Sequence, residues 1–303
     1  MIDLTDTDAV PLSEAALAPY ARFSLYNSPY PAHDAGCAID LYPGTLRDGR
    51  TTAAPSPVAG TVRETRTVRA PPKPYAPEHD HLILIDCDGP GDCAGLTARI
   101  LHVDPAVEVG DRVEPGDSLG KLVRAGFFAP WVDNHLHVGF RTPAQNPYRA
   151  SGSVPIELAE AVRPRPLAWD GSGTVVATGE TYAVLDAPTH PNPGDEFVGV
   201  GADSDGSEES GVLDGGLPHY DGGGVYSSTR LPSQVSLNGD ELGSVADDGR
   251  SVTWDDVVVT ANGDPITGLS LFCARDADFG AKLICPDRAF GVGEPVQVRV
   301  RRR

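Results

Sequence analysis

Lysine is scarce in this sequence of 303 residues, where it occurs at Lys73, Lys121 and Lys282 alone. Lysine and arginine together number 24, against 43 aspartate and glutamate residues, and the formal net charge is −19. A surface with such an acidic excess repels the phosphates of nucleic acids and the headgroups of anionic membranes. We therefore expect no nucleic acid among the partners of this protein.

Long hydrophobic runs are also missing, and no stretch approaches the roughly 18 apolar residues that a membrane span needs. The N-terminal segment carries acidic side chains where a secretory signal has basic ones, and no apolar segment follows it. The sequence therefore predicts a protein without a membrane span, and we expect it in the cytoplasm.

The shortage of lysine beside abundant aspartate resembles the composition of proteins from salt-loving archaea. In such proteins, high salt screens the repulsion between acidic side chains. The composition therefore indicates an acidic, halophilic protein.

Cysteine pairs of the C-x-x-C type are absent, although the chain has 5 cysteines. The odd number and the missing motif argue against a structural zinc ribbon. In a reducing cytoplasm we expect these cysteines to be buried thiols.

Proline and glycine are abundant instead, with 28 and 34 residues spread along the chain. This frequency favours many short strands and turns, so the predicted fold is mainly β. Two segments have helical patterns: residues 12–22, interrupted by Pro19, and residues 155–162, with Ser153 as a candidate N-cap. At the C-terminal end, residues 295–303 alternate valine with polar residues and predict a strand with an exposed charged face.

A change of composition at residues 151–167 predicts a linker between two domains. We expect an N-terminal extension over residues 1–28, a first β domain over 29–150 and a second, antiparallel β domain over 168–303. Six of the 8 histidines lie at or before residue 137, so histidine chemistry is expected in the first domain. The second domain has Asn-Gly turns between alternating strands but no motif that indicates a function.

The segment NHLHVGFR, residues 134–141, places two histidines two positions apart. In a β-strand His135 and His137 share one face, while Leu136 and the later apolar residues occupy the other. The apolar face can pack into a core, which leaves the histidines for a metal site or an acid–base pair. A plain polar surface is the alternative interpretation of such a pair.

Two segments, PVAGTV at residues 57–62 and VGDRVEPGDSLG at residues 109–120, resemble the repeated half-motif of biotinyl and lipoyl carriers and of LytM-like (M23) zinc peptidases. Three others resemble the peptidases in particular. HLHVGFR is similar to their His-x-His strand, ARILHVDPAVEVGD to their Tyr-x-His-Leu segment, and GCAIDLYPG to their Gly-Ile-Asp strand. The resemblance extends over residues 29–148 and implies an M23-like β-sandwich, the duplicated hybrid motif.

By this resemblance the zinc ligands would be His33, Asp40 and His137. A catalytic zinc keeps a further position for water and lowers its pKa, which allows hydrolysis of a peptide or amide bond. His102 and His135 would lie outside the ligand set, donating hydrogen bonds to the developing oxyanion or moving a proton to the leaving amine. The resemblance therefore implies a zinc metallohydrolase whose peptide or amide substrate is unknown.

The spacing of the first ligand differs from the family pattern, in which a histidine precedes the aspartate by four residues. Gly36 occupies that position here, and His33 lies seven residues before Asp40. His33 can reach the site only if the segment HDAG folds back, which glycine permits.

Two other functions stay open at this point. The first domain could be an M23-like scaffold that binds a partner without metal, or a biotinyl or lipoyl carrier modified at Lys73. The individual residues also have structural interpretations, because Asp40 could cap a turn and His102 could be a strand residue with one satisfied nitrogen. His79 and His81, a second pair with the same spacing, are expected at the surface where a strand begins.

Overall fold

A computed structural model of the chain describes residues 9–88, 93–203, 210–228 and 233–303. Of the extension predicted over residues 1–28, residues 1–8 lie outside the described part. The regular structure is nearly all β-strand, which confirms the prediction of a mainly β fold. The chain divides into two compact units, a first of Met1–Phe23, Pro31–Gly44 and Asp48–Val162 and a second of Ser24–Tyr30, Thr45–Arg47 and Arg163–Arg303.

The first part of the chain contains short strands and two single-turn α-helices. In chain order its elements are β1 (Val10–Leu12), α1 (Glu14–Leu17), β2 (Arg22–Ser24), α2 (Pro31–Asp34), β3 (Ile39–Tyr42), β4 (Ala53–Pro55), β5 (Gly60–Arg69), β6 (His79–Cys87), β7 (Thr97–Leu101), β8 (Val103–Pro105), β9 (Arg112–Val113), β10 (Ser118–Leu122), β11 (Leu136–Arg141), β12 (Ile156–Leu158) and a 3-10 helix (Glu160–Val162). Within the described residues, none of the helices is long and apolar enough to cross a membrane.

The candidate site residues lie on or beside an antiparallel sheet, in which β3, β11, β7, β6, β5 and β9 are neighbours in that order. The central strand β11 follows the predicted alternation. Leu136, Val138 and Phe140 share one face and are all 0% exposed, so they form part of the core. The histidine face of β11 is therefore available for a site.

Two glycine turns lead into β9 and β10, as the repeated V-x-x-G-D pattern indicates. Gly110 and Gly116 have φ values of 97° and 93°, in the left-handed region that favours glycine. After each glycine, an aspartate side chain accepts the backbone N–H three residues earlier, at 2.8 Å for Asp111 and 2.9 Å for Asp117. Strand β10 then pairs with β4 and β8 in a small antiparallel sheet.

The prediction of a helix over residues 155–162 is wrong. Ile156–Leu158 forms β12, which pairs in parallel with β1, and a short 3-10 helix follows it. The local pattern suits a helix, but pairing with β1 satisfies the backbone groups and buries Ile156, so the tertiary contact overrides local propensity. Over residues 12–22 the helix is limited to α1, which is capped by Ser13 Oγ accepting the N–H of Ala16 at 3.4 Å.

The second unit is a larger set of short strands. They are β13 (Arg165–Leu167), β14 (Ser172–Thr178), β15 (Tyr182–Leu185), β16 (Val198–Val200), β17 (Val212–Leu217), β18 (Gly222–Tyr226), β19 (Gln234–Leu237), β20 (Asp240–Val245), β21 (Ser251–Trp254), β22 (Val257–Ala261), β23 (Asp264–Ile266), β24 (Gly268–Leu271), β25 (Cys273–Ala274), β26 (Lys282–Ile284) and β27 (Pro295–Arg302).

Antiparallel pairing dominates the second unit, as predicted. Its main sheet has the strand order β19-β20-β21-β18-β17-β24-β26-β15-β14-β27-β22-β23. On β27, Val296, Val298 and Val300 are buried while Arg301 and Arg302 are exposed. This confirms the predicted C-terminal strand with a charged face.

The cysteines are free thiols. Cys87, Cys93, Cys273 and Cys285 are buried, as expected, and Cys37 is half-buried. Burial raises the pKa of Cys285 to about 11, so that thiol stays protonated near neutral pH.

Asp214 on β17 is a fully buried carboxyl group that accepts several hydrogen bonds within the second unit. Its Oδ1 accepts from Ser24 Oγ at 2.5 Å, and its Oδ2 accepts from Tyr226 Oη at 2.6 Å. Oδ2 also accepts the backbone N–H groups of Leu25 at 2.8 Å and Tyr26 at 3.3 Å. Burial raises the pKa of Asp214 to about 6. The Asp214 carboxyl group thus binds residues 24–26, from early in the chain, to the main sheet of the second unit.

Candidate metal centre

His33, Asp40 and His137 bring their ligand atoms within 4.8 Å of one another. His137 Nδ1 lies 3.0 Å from Asp40 Oδ1 and 3.1 Å from His33 Nε2. His33 Nε2 lies 3.4 Å from Asp40 Oδ1. The side chains are 1% exposed for His33, 6% for Asp40 and 13% for His137. The structure therefore gathers the predicted ligands into one buried cluster.

Strand register places two of these residues together. In the antiparallel pair of β11 and β3, His137 lies directly opposite Asp40. Directly opposed residues point to the same face, with Cβ atoms about 4.5–5.5 Å apart. The pairing of β11, which carries His-x-His, with β3, which carries Ile39 and Asp40, thus accounts for the short distance between these side chains.

His33 reaches the cluster through α2 and the turn after it, and not from a strand. Pro31 begins α2, a position that proline favours. Gly36 then adopts a left-handed φ of 61°, and its N–H donates to His33 O at 2.9 Å, while the N–H of Cys37 donates to Ala32 O at 2.8 Å. This is a helix end with a left-handed residue, which reverses the chain. The segment HDAG therefore folds back, as the seven-residue spacing requires.

The protons of the histidines cannot satisfy all contacts in this cluster. Each of its three atoms is either a donor or an acceptor at any one time, and the carboxylate oxygen of Asp40 only accepts. Three atoms in mutual contact always include at least one pair of two donors or two acceptors. A cation that all three lone pairs bind removes this conflict, so the donor set fits a metal ion.

The distances also fit a tetrahedral ion. With zinc-to-ligand distances of 2.0–2.1 Å, two ligand atoms of a tetrahedral site lie about 3.3 Å apart. The separations of 3.0, 3.1 and 3.4 Å are close to that value. Two imidazoles and one carboxylate are a donor set that zinc uses in catalytic sites.

Burial and charge set the protonation of the cluster. Burial lowers the pKa of His135 to about 4 and that of His137 to about 3, so both imidazoles are neutral at pH 7. Burial acts to raise the pKa of Asp40, but charge interactions with His135 and His33 and hydrogen bonds with His137 and His33 outweigh it. The pKa of Asp40 lies well below its ordinary value. Neutral imidazoles beside a carboxylate are the protonation states that bind a metal.

These pKa values predict a pH dependence for the metal-free protein. The ordinary histidine pKa is 6.5, so the unfolded chain takes up protons at these positions at a higher pH than the folded chain does. The neutral imidazoles of His135 and His137 contribute in full to the free energy of unfolding above pH 6.5, and this contribution declines as the pH falls towards 4. Urea unfolding of EDTA-treated protein between pH 7 and pH 4 should show this loss as a fall in the free energy of unfolding. The slope of that free energy against pH should be shallower for His137→Gln. The exposed His79 provides the control, since His79→Gln should keep the wild-type slope; equal slopes for all three proteins would contradict the prediction.

His135 lies beside the cluster on the same face and is held by its own main chain. Its Nδ1 donates to Asp133 O at 2.9 Å, which leaves the lone pair on Nε2, and Nε2 lies 3.5 Å from Asp40 Oδ1. The Asp133 carboxylate forms a buried ion pair with Arg22 at 3.1 Å. The guanidinium of Arg22 also lies 4.7 Å from the ring centre of Tyr42, which contacts His135. These contacts fix the His135 imidazole.

His102 follows β7 and contacts the same cluster. Its ring centre lies 5.2 Å from that of His135 and 5.9 Å from that of His137. His102 Nδ1 lies 2.6 Å from Oδ2 of Asp80, whose side chain is 0% exposed. Burial acts to raise the pKa of Asp80, but electrostatic interactions and hydrogen bonds with His102 and His81 outweigh it, so this pKa is lowered. All five predicted site residues therefore converge on one face of the sheet.

Sequence reasoning missed the residues that surround the imidazoles. Asp80 stands in the segment HDH, whose histidines resemble a surface pair. His79 is exposed, as expected, whereas His81 is half-buried and the aspartate between them points inward. Phe128 was also missed: its ring stacks on His135 at 4.4 Å and meets His102 edge-on at 4.7 Å. The alternation of β6 could have indicated an inward Asp80, whereas Phe128 lies in a connection without a periodic pattern.

Fold and site together define a two-domain β protein with a buried candidate metal centre in its first unit. Residues 11–158 match the family described as the N-terminal domain of DUF8155, a domain of unknown function. Residues 165–301 match the family described as the C-terminal domain of DUF8155, also of unknown function. No curated protein matches the chain.

Proposed function

We propose that the first unit is a divergent M23-like zinc hydrolase that cleaves a peptide or amide bond. The observation that carries this proposal is the mutual contact of His33, Asp40 and His137 at separations close to those of a tetrahedral metal site. The presence of His135 and His102 beside that cluster supports it further. The order of these residues along the chain agrees with the resemblance to the zinc peptidases.

In this proposal His33, Asp40 and His137 hold the zinc, which supplies Lewis acidity towards a carbonyl oxygen and lowers the pKa of a water molecule. His135 keeps one proton on Nδ1, directed at Asp133 O, so its Nε2 is free to accept a proton or, once protonated, to donate to an oxyanion. His102 is arranged in the same way by Asp80. Phe128 covers both imidazoles and limits the access of water to them.

Metal content tests the proposal directly. Protein purified without an affinity tag is expected to contain about one zinc per chain by elemental analysis, since the cluster forms one site. Treatment with EDTA should remove the zinc, and added zinc chloride should restore it. Hydrolysis of a synthetic library of short peptides, read by mass spectrometry, should follow the zinc content through this cycle.

Two results would overturn the proposal in different ways. Protein that stays metal-free after incubation with zinc chloride would exclude the zinc site, and the first unit would then be a metal-free binding module. Protein that holds zinc but hydrolyses no peptide or amide of the library would exclude the hydrolase, and the metal would have a structural role.

A further inference from the structure

We propose that Asp80 is a positioning residue for His102, which fixes the imidazole proton on Nδ1 and leaves Nε2 as the proton acceptor. The inference deepens the proposed hydrolase function and rests on it. It assigns a role to a residue outside the metal cluster, on β6, the strand that pairs with β7.

The burial of Asp80 requires partners for both of its oxygens. A buried carboxylate is destabilising unless it is paired and hydrogen-bonded. Oδ1 accepts the backbone N–H of His81 at 2.8 Å, and Oδ2 lies 2.6 Å from His102 Nδ1. The first contact fixes the carboxylate to the main chain, and the second fixes the imidazole to the carboxylate.

The tautomer of His102 follows from this geometry. A carboxylate accepts hydrogen bonds and cannot donate them, so the proton between the two groups belongs to His102 Nδ1. In the neutral ring the lone pair then resides on Nε2. A carboxylate that holds an imidazole in one tautomer is a recurrent way to prepare a histidine for proton transfer.

The backbone of His102 supports a functional interpretation. Among the described residues, positive φ values outside glycine occur at His102 (73°), Asn238 (56°) and Asn262 (52°). The two asparagines belong to Asn-Gly turns, where this conformation is common. A histidine at the junction of β7 and β8 adopts this conformation at an energetic cost that glycine does not have. The N–H of His102 donates to His81 O at 3.2 Å, and its C=O accepts the N–H of Val123 at 2.9 Å. These two hydrogen bonds hold the conformation in place.

The experiment compares the histidine tautomer in the zinc-loaded full chain and in Asp80→Asn, by ¹⁵N NMR at one fixed pH. His102→Gln assigns the signals. Asparagine offers one oxygen, which the N–H of His81 requires, so its NH₂ group would face His102 Nδ1. We expect wild-type protein to carry the His102 proton on Nδ1, and the variant to shift it to Nε2.

A control and two further readouts separate positioning from a loss of structure. Asp86→Asn, an exposed carboxylate on β6 that accepts from Thr97 Oγ1 at 2.8 Å, should leave the tautomer unchanged. Zinc content should be equal in all variants. The hydrolysis of 4-nitrophenyl acetate, an activated ester, should fall about 10–100-fold in Asp80→Asn and not in Asp86→Asn. In a His102→Gln background, Asp80→Asn should cause no further loss.

The outcomes distinguish this inference from the proposed function. A wild-type His102 with its proton on Nε2, or a tautomer that Asp80→Asn leaves unchanged, overturns the role of Asp80 whatever the activity. Wild-type protein without zinc or ester hydrolysis overturns the hydrolase, and the tautomer still decides whether Asp80 fixes His102. Should Asp80→Asn fail to fold, the wild-type tautomer alone supports or overturns the inference.

Discussion

Replacement of His137 by alanine is expected to remove most of the bound zinc, whereas replacement of His135 is expected to leave the zinc content nearly unchanged. His137 Nδ1 is in contact with both other members of the cluster, at 3.0 and 3.1 Å, so its loss leaves two protein ligands that bind zinc poorly. His135 Nε2 lies 3.5 Å from Asp40 Oδ1, but His135 is not a member of the group of three ligands. Elemental analysis of the two variants measures the difference.

The His135→Ala variant should lose hydrolytic activity by roughly 10²–10³-fold, the usual effect of removing one donor to a developing oxyanion. His79→Ala is the control, because His79 is an exposed histidine of the same sheet outside the cluster; it should keep both zinc and activity. His33→Ala tests the unusual spacing and should lose zinc as His137→Ala does. Full zinc content in His33→Ala would show that α2 does not supply a ligand.

Replacement of Asp214 by alanine is expected to destabilise the second unit by several kcal/mol. The change removes the carboxyl group that accepts hydrogen bonds from the hydroxyls of Ser24 and Tyr226 and from the N–H groups of Leu25 and Tyr26. Each buried group that loses its partner costs about 1–3 kcal/mol. Urea unfolding, followed by tryptophan fluorescence, should report a lower midpoint.

Asp256→Ala is the control for this prediction, since the Asp256 side chain is 77% exposed and pairs with Arg303 at 3.5 Å. An exposed ion pair contributes about 0–1 kcal/mol, so its loss should change the midpoint little. Asp214→Asn keeps the shape of the side chain but has only one acceptor oxygen. Its unfolding midpoint should fall between those of Asp214→Ala and Asp256→Ala. Equal midpoints for Asp214→Ala and Asp256→Ala would show that the buried carboxyl does not stabilise the unit.

The β class and the faces of the strands were predictable because they depend on local patterns. Alternation in NHLHVGFR placed Leu136 and Val138 in the core and His135 and His137 on the opposite face, and the structure agrees. The same reasoning predicted a helix at residues 155–162, where the structure has β12. Local pattern fails there because the partner strand β1 lies more than 140 residues away along the chain.

Other features depend on contacts that no local pattern records. The contact of Asp80 with His102 joins residues 22 positions apart, and the ring of Phe128 comes from a connection without periodicity. On a continuous strand His33, seven residues before Asp40, would point to the opposite face and away from the site. The structure has it in α2, where parity does not apply.

The bond between Ser24 and Asp214 joins residues separated by 190 positions in the chain. On the ribosome, the early segment is synthesised long before β17, so it has no carboxyl group to bind while the strands between them emerge. Closing so long a loop has an entropic cost, and contacts of this range slow folding relative to a local hairpin such as β5–β6. The second unit is therefore expected to mature late, from the earliest and the later parts of the nascent chain together.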